Sequence, residues 1–232
     1  MPGQRREMRG WSYSAWSALQ QCPFRFEQGY LLGVKGPKSW FLERGIQQHK
    51  IAEGYLKGEI SYLPKTFDFF RKHYKRLKAL APVVEQFWGI NERFKKYEPD
   101  IMKGERSWCV MKMDAAVPPS KREPSLYIQD LKGGKIYDSH VKQGGLYACI
   151  GMQWYPSDQV EVEFWYQDQE DIRTFVFSRE RVKELTKLWI ERGRDVMSPR
   201  KVYKATPSVE ACKYCHLKSS EGGPCNKWRE VL

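Results

Sequence analysis

Long apolar runs are missing from this sequence. None of its stretches reaches 18 apolar residues, so no membrane-spanning helix is expected. The first residues, MPGQRREMRGW, carry positive charge with no apolar segment behind them. A secretory signal is therefore not expected, and a cytoplasmic protein is. Cysteine is sparse: six in 232 residues, unevenly placed, are too few for a disulfide framework. Acidic side chains are in deficit, 28 against 40 Lys and Arg, which leaves a net charge of +12. That balance favours a polyanionic partner, because Lys and Arg that neutralise phosphates release condensed counterions. Internal repeats and low-complexity tracts are absent. What remains, 41% apolar and 29% charged residues, is the composition of a globular chain long enough for one sizeable domain.

The first third has helical periodicity. Tyr13, Trp16, Leu19 and Gln20 open a pattern that Pro23 interrupts and Phe24, Phe26, Tyr30 and Leu31 resume. After the loop GVKGPKS, a second helix is expected from Trp40 to Leu56, ended by Gly58. Phe67, Phe70, Tyr74 and Leu77 carry helical spacing into a third region, 66–97, where Pro82 is read as opening a second helical segment. Beyond Pro99 residues 100–117 alternate, a pattern carried by the stretch from Ser107 to Asp114, and the turn VPPSKREP leads to an apolar run, Leu126 to Leu131. These two runs read as neighbouring strands. Asp138 or Ser139 can cap a helix through Met152. Residues 159–166 and 171–178 read as a strand pair, and Ser178 caps a helix carrying Val182, Leu185, Leu188 and Trp189, stopped at Ser198-Pro199. The tail from Thr206 is loop-like. The fold class is α/β, with a small mixed sheet crossed by a helix, in an α-rich setting.

The triplet Asp130-Leu131-Lys132 places a carboxylate and an ammonium on one face of a strand, because residues i and i+2 point the same way. Gly133 and Gly134 follow. With Asp114 read as ending the preceding strand, two carboxylates can converge on one divalent cation, which prefers hard oxygen ligands. A lysine beside them can orient an attacking water or stabilise charge on a phosphate, which suits phosphodiester hydrolysis with Mg²⁺ or Mn²⁺. An isolated D-x-K triplet is common and carries little alone. His49 and Glu53 share one helix face, and the histidine can add a nitrogen ligand. Gln143 and Tyr147 form a second i,i+4 pair just after the D-x-K strand.

In the tail, Cys212-Lys-Tyr-Cys215 and Cys225 supply three thiolates for a four-ligand site, and either Cys22 or His216 can supply the fourth. Zn²⁺ and an iron–sulfur cluster are both open on these residues. Cys109 and Cys149 lie in apolar surroundings and are expected in the core. Tyr13, Trp16 and Phe24 are stacking candidates for a single strand, and Arg25, Arg44 and Lys142 are phosphate-contact candidates.

Taken in order, SYSAWSALQQCPFRFEQGYL, RGIQQHKIAE, MKMDAAV, YIQDLKGGK and QGGLYA resemble the RecB-like branch of the PD-(D/E)XK nucleases, over about Ser12 to Cys225. That branch includes nuclease domains of recombination helicase–nucleases, nucleases of CRISPR adaptation and stand-alone phage exonucleases. The resemblance implies a restriction-endonuclease-like core: a mixed sheet flanked by helices, with a helical N-terminal part and a cysteine-rich metal-binding tail. It implies one nuclease domain over 1–232, divided as 1–98 helical, 99–200 catalytic core and 201–232 tail packed with Cys22. By the same resemblance His49, Asp114, Asp130 and the Leu131 carbonyl are metal ligands and Lys132 is the catalytic lysine. Gln143 and Tyr147 match the Q-x-x-x-Y motif that shapes a DNA-binding site. Two departures stand out: the family often has glycine before the first acid, where this chain reads Val110-Met111-Lys112-Met113, and threonine after the lysine, where it has Gly133. Members with one N-terminal and three C-terminal cysteines carry a [4Fe–4S] cluster, which implies Cys22, Cys212, Cys215 and Cys225 as its ligands. The nine residues before Cys225 are wider than the family's spacing and keep Zn²⁺ as the alternative.

The expected function is a metal-dependent DNA exonuclease acting on ends or single strands by two-metal-type phosphodiester hydrolysis, in repair, recombination or phage DNA metabolism, in a bacterial or phage-infected cytoplasm. The alternative is a non-catalytic or assembly-dependent nucleic-acid-binding subunit, within a recombination or integration complex.

Overall fold

The structure, a computed structural model, describes residues 5–37, 39–121 and 123–231; Lys38 and Arg122, in two of the expected loops, and the outermost terminal residues lie outside it. In chain order it contains α1 (Tyr13–Gln21), α2 (Pro23–Phe26), α3 (Trp40–Lys57), α4 (Arg71–Ala79), β1 (Val83–Ile90), β2 (Cys109–Val117), β3 (Leu126–Lys132), α5 (Ser139–Trp154), β4 (Gln159–Tyr166), β5 (Asp171–Ser178), α6 (Arg179–Met197) and α7 (Val209–Lys213). The chain divides into two compact units, residues 39–190 and residues 1–38 with 191–232.

The larger unit is built on a five-stranded sheet in the order β1-β2-β3-β4-β5. Neighbours pair antiparallel except β3 and β4, which are parallel and are joined through α5, the crossover that a parallel pair requires. One face of the sheet presents Ala115, Val117, Leu131 and Trp165 to α3 and α4, which bury Ala52, Leu56, Phe70, Tyr74 and Leu77 against them. Phe70 stacks on Trp165 with centroids 5.6 Å apart, and Tyr74 meets the same indole edge-on at 4.7 Å. The other face receives α5. Gly151 is what lets that helix approach: a Cβ there would lie 2.8 Å from Leu126 Cδ2 and 2.9 Å from Ile128 Cδ1. Glycine costs about 1 kcal/mol relative to alanine in a helix, and here the contact with the sheet requires it.

Helix α3 is capped by Ser39, whose hydroxyl accepts from the Leu42 amide, and ends at Gly58 in the left-handed region, the stop that the sequence suggested. Two expectations are corrected. Pro82 does not open a helix; it precedes strand β1. Val83, Val84, Phe87, Trp88 and Ile90 are β-branched or aromatic residues, and proline is tolerated just before a strand's first residue. Asp114 does not end its strand either. Ala115, Ala116 and Val117 continue β2 beyond it, each paired with β3 and buried. The alternation read from residue 100 becomes a strand at Cys109, after a 3-10 turn over Ile101–Lys103.

The smaller unit contains α1, α2, a π-helical turn over Glu27–Leu31, α7 and the end of α6. Its core includes Trp11, Trp16, Leu19, Phe26, Tyr203 and Leu217. Tyr13 and Trp16, read as stacking candidates, are buried here, and their rings tilt against each other at 5.5 Å. Apolar area lost to water explains these two rings better than a waiting ligand.

Candidate metal centre

The β2–β3 ladder pairs Val117 with Tyr127, Ala116 with Ile128 and Ala115 with Gln129. One step further, the same register sets Asp114 opposite Asp130, and there the ladder stops. Instead of a strand carbonyl, the Leu131 amide donates to Asp114 Oδ2 at 2.6 Å. Two facing carboxylates repel each other, and a charge-assisted bond to one of them replaces the ladder bond lost at that point.

Asp130 is buried and held from two sides. Gln143 Nε2 donates to the Tyr147 hydroxyl at 2.7 Å, and that hydroxyl donates to Asp130 Oδ1 at 3.0 Å. Lys132 Nζ lies 2.6 Å from Asp130 Oδ2, on the face where the i,i+2 spacing puts it, and 5.1 Å from the Phe164 ring centre. Despite that contact, Oδ2 is a buried oxygen that accepts no well-aligned hydrogen bond. An acceptor of that kind fits a cation ligand, since a buried carboxylate oxygen otherwise finds donors.

His49 reaches in from α3, with Nδ1 3.0 Å from Asp114 Oδ1. Burial pushes its pKa down, but the bond to Asp114 and the charges of Asp114, Asp130 and Glu85 outweigh it, and the net direction is up. Burial and the charge of Asp130 raise the Asp114 carboxyl, against the opposing pull of His49 and the Leu131 amide.

Among the described residues, one group of donors lies mutually within 4.8 Å: His49, Glu85 and Asp114. Sequence reading missed Glu85 because it took residues 82–97 as helical. A strand reading of Val83–Ile90, in register with residues 109–116, would have set Glu85 opposite Asp114. His140 was also missed. It sits three residues before Gln143 on the same α5 face, its Nδ1 2.6 Å from the Tyr166 hydroxyl and its ring stacked on Tyr166. Burial and the neighbouring Lys132, against Asp130, lower its pKa to about 4.

The remaining site candidates are placed as follows. Glu53 turns to Lys57 at 2.5 Å. Gln143 and Tyr147 are buried, and their polar ends are committed to Asp130. Arg44 is ion-paired with Asp168 and lies over the Trp40 ring at 4.8 Å, whereas Lys142 is exposed. The Leu131 side chain belongs to the sheet core, while its backbone lies beside Asp114.

In the smaller unit, Cys22, Cys212, Cys215 and Cys225 line one small cavity together with Phe24, Arg25, Leu217 and Trp228. The Cys215 amide donates to the Cys212 carbonyl at 3.1 Å, closing the turn between these two. Cys225 donates its amide to the Leu217 carbonyl at 2.8 Å. Gly223 permits this return, since a Cβ there would meet the Leu217 backbone at 2.3 Å. His216 Nδ1 lies where a Cβ on Gly36 would sit, at 2.8 Å, and is not among the cavity's lining residues. Cys109 and Cys149 are buried in the larger unit.

No protein-family model matches the chain, and no curated protein matches it. Among solved structures it is similar to the crystal structure of SSO0001, at 13% identity over 90% of this chain and 84% of that one, with a TM-score of 0.37. It is also similar to a phage-related exonuclease from Haemophilus somnus 129PT, at 12% identity over 83% of this chain and 94% of that one, with a TM-score of 0.28. Likenesses this distant carry no inference about function, which has to be read from the site itself. No helix among the described residues is long and apolar enough to cross a membrane.

Proposed function

We propose that the chain is a metal-dependent DNA nuclease of the PD-(D/E)XK type, an exonuclease working on DNA ends or single strands. The observation that carries this reading is the meeting of Asp114, Asp130 and Lys132 where the β2–β3 ladder stops, with Asp130 fixed through Tyr147 and Gln143. Asp114, Asp130 and the Leu131 carbonyl would hold Mg²⁺ or Mn²⁺, hard ions suited to oxygen donors, and His49 would add a nitrogen. When bound, such an ion acidifies water and neutralises charge on a phosphodiester.

The chain's own groups do the rest. Lys132 presents its ammonium beside Asp130, where it can orient the attacking water and stabilise the phosphate's developing charge. Tyr147 and Gln143 keep one Asp130 oxygen oriented and leave the other for the cation. The net charge of +12 favours approach of a polyanion.

The four cysteines fit a metal group as well. Thiolates suit both Zn²⁺ and an iron–sulfur cluster, and the one N-terminal and three C-terminal cysteines make a [4Fe–4S] cluster the reading taken, with Zn²⁺ the alternative and a structural role that ties residue 22 to the segment 212–225. Brown colour and stoichiometric iron in anaerobically purified protein are expected; a colourless protein with one equivalent of zinc would replace the cluster with zinc.

A time course on single- and double-stranded DNA labelled at either end, with Mg²⁺, Mn²⁺ and chelator compared, tests the enzymatic reading. Shortening from an end, dependent on the added ion, is expected. The Lys132→Met variant should cut about 10²–10³-fold more slowly while still binding DNA. Undiminished cutting by that variant would remove Lys132 from the chemistry.

A further inference from the structure

Helix α3 changes character along its length. From Gln48 onward it buries Gln48, Ala52, Gly54 and Leu56, whereas none of its first eight residues, Trp40 to Gln47, is buried. Those first turns nevertheless carry four large apolar side chains in the open: Trp40, Phe41, Leu42 and Ile46 are 63%, 72%, 54% and 56% exposed. Single exposed apolar residues are ordinary, but four on two turns of one helix mark a surface that meets something. The rings are also held in place. Trp40 meets Phe41 edge-on at 5.2 Å, and the Arg44 guanidinium, one turn further, lies over the Trp40 ring at 4.8 Å. Arg44 is itself ion-paired with Asp168, which ties the rings to the turn after β4.

The position of these turns, all within the larger unit, indicates their occupant. Asp168 lies two residues beyond Tyr166, the last of β4, and the register sets Tyr166 beside Lys132 at the end of β3. Gln48 approaches the residue after Lys132, its Oε1 3.7 Å from where a Cβ on Gly133 would be. His49, next along α3, reaches Asp114. The apolar turns therefore stand at the carboxyl ends of β3 and β4, beside the metal centre. At 1.5 Å per residue, Phe41 is about 12 Å from His49 along the helix axis. Beyond Lys132 in the chain, the segment 135–142 exposes Ile136 and Tyr137 together with Lys135 and Lys142. A protein docked on these turns would sit across the approach to Lys132. A DNA duplex keeps its base faces stacked on one another, so only an unpaired strand has apolar faces to offer, and rings set among basic groups are what such a strand binds.

We propose that Trp40 and Phe41, backed by Arg44, form a stacking platform for the bases of single-stranded DNA entering the metal centre, with Leu42 and Ile46 extending its apolar surface. This rests on the proposed nuclease reading, and it names the form of the substrate: an unpaired strand held by its bases as well as its phosphates. Every base has a π-face, so the platform is indifferent to sequence. Tyr13 and Trp16, the stacking candidates read from the sequence, are buried in the core of the smaller unit, whereas Trp40 and Phe41 are open.

The test is fluorescence anisotropy in chelator, where nothing is cut, with three labelled probes of equal length: oligothymidylate, an abasic strand with the same phosphates, and a blunt duplex. Wild type should bind oligothymidylate at least about tenfold more tightly than the abasic strand. Trp40→Ala and Phe41→Ala should each weaken oligothymidylate binding about five- to thirtyfold and leave the abasic strand and the duplex unchanged. Phe41→Tyr, which keeps a ring, should bind as wild type does. Both side chains are exposed, so the variants should melt with the wild type. Equal weakening on oligothymidylate and the abasic strand, or none on either, would overturn the platform. So would a wild-type dimer in sedimentation that Phe41→Ala turns into monomers, which would make the patch a contact between copies. Cleavage of end-labelled DNA with Mn²⁺ is scored separately. Cleavage by wild type without base-dependent binding would strike the platform alone, and base-dependent binding without cleavage would strike the nuclease reading alone.

Discussion

The carboxylate row of the larger unit and the cysteine cavity of the smaller one are both candidate metal centres, but they are made differently. The carboxylates come from strands β1, β2 and β3, and register alone sets them opposite one another. Asp114 and Asp130 are already fixed by hydrogen bonds, from the Leu131 amide and His49 to the first and from Tyr147 to the second. The cysteines come from the start of α2 and from a tail whose turns are closed by local backbone bonds, and they line one small cavity. Hard oxygens held in place suit an ion that exchanges and takes part in chemistry; spaced soft thiolates suit a group that stays. On the proposed reading, preorganisation by hydrogen bonds goes with the reactive centre, and chain cross-linking with the structural one.

If the two centres are independent in this way, they can be broken separately. The largest effect is expected from Asp114→Asn, which removes the carboxylate that meets both His49 and the Leu131 amide. Mn²⁺ binding measured by calorimetry should vanish while iron content stays at the wild-type level. Next comes Cys212→Ser, with the reverse outcome: loss of the visible absorption and a lower melting temperature, but unchanged Mn²⁺ stoichiometry. A Cys212→Ser protein that lost Mn²⁺ binding while still folded would show the centres to be coupled. Tyr147→Phe removes only the bond that orients Asp130, so a loss of about 10–100-fold in metal affinity or cleavage rate is expected, the usual cost of deleting an outer-shell partner.

The smallest effect concerns pH. The His140 pKa falls to about 4 in the folded chain, below the value of about 6.5 for an unfolded histidine. Between these values the unfolded state binds the extra proton. The contribution is therefore complete above pH about 6.5 and is lost as pH falls toward 4. Denaturant melts of metal-free protein should lose stability over that range, and His140→Gln should flatten the loss. An unchanged slope in the variant would assign the acid sensitivity to other groups.

Much of this architecture is legible in the sequence where local chemistry decides it. Helix α3 announces itself through the run from Trp40 to Leu56 and its stop at Gly58, and the D-x-K face follows from strand alternation. What was not legible depends on partners remote in sequence. The helical spacing of Phe67 to Leu77 was carried past Pro82 into what is β1, and Glu85 was lost with it. Asp114 looked like a strand end because its continuation, Ala115-Ala116-Val117, has no polar residue to mark alternation. Spacing showed that Gln143 and Tyr147 share a face, but not that the face is turned to Asp130. Nor does anything near Arg44 reveal Asp168 as its partner.

Ion-dependent cleavage by wild type and Asp130→Asn, side by side on end-labelled DNA, tests the central claim most directly. The account expects wild type to degrade the DNA with Mn²⁺ and not with chelator, and Asp130→Asn, folded and with its iron intact, to leave it whole. Equal cleavage by the two proteins, or cleavage by wild type that persists in chelator, would contradict it.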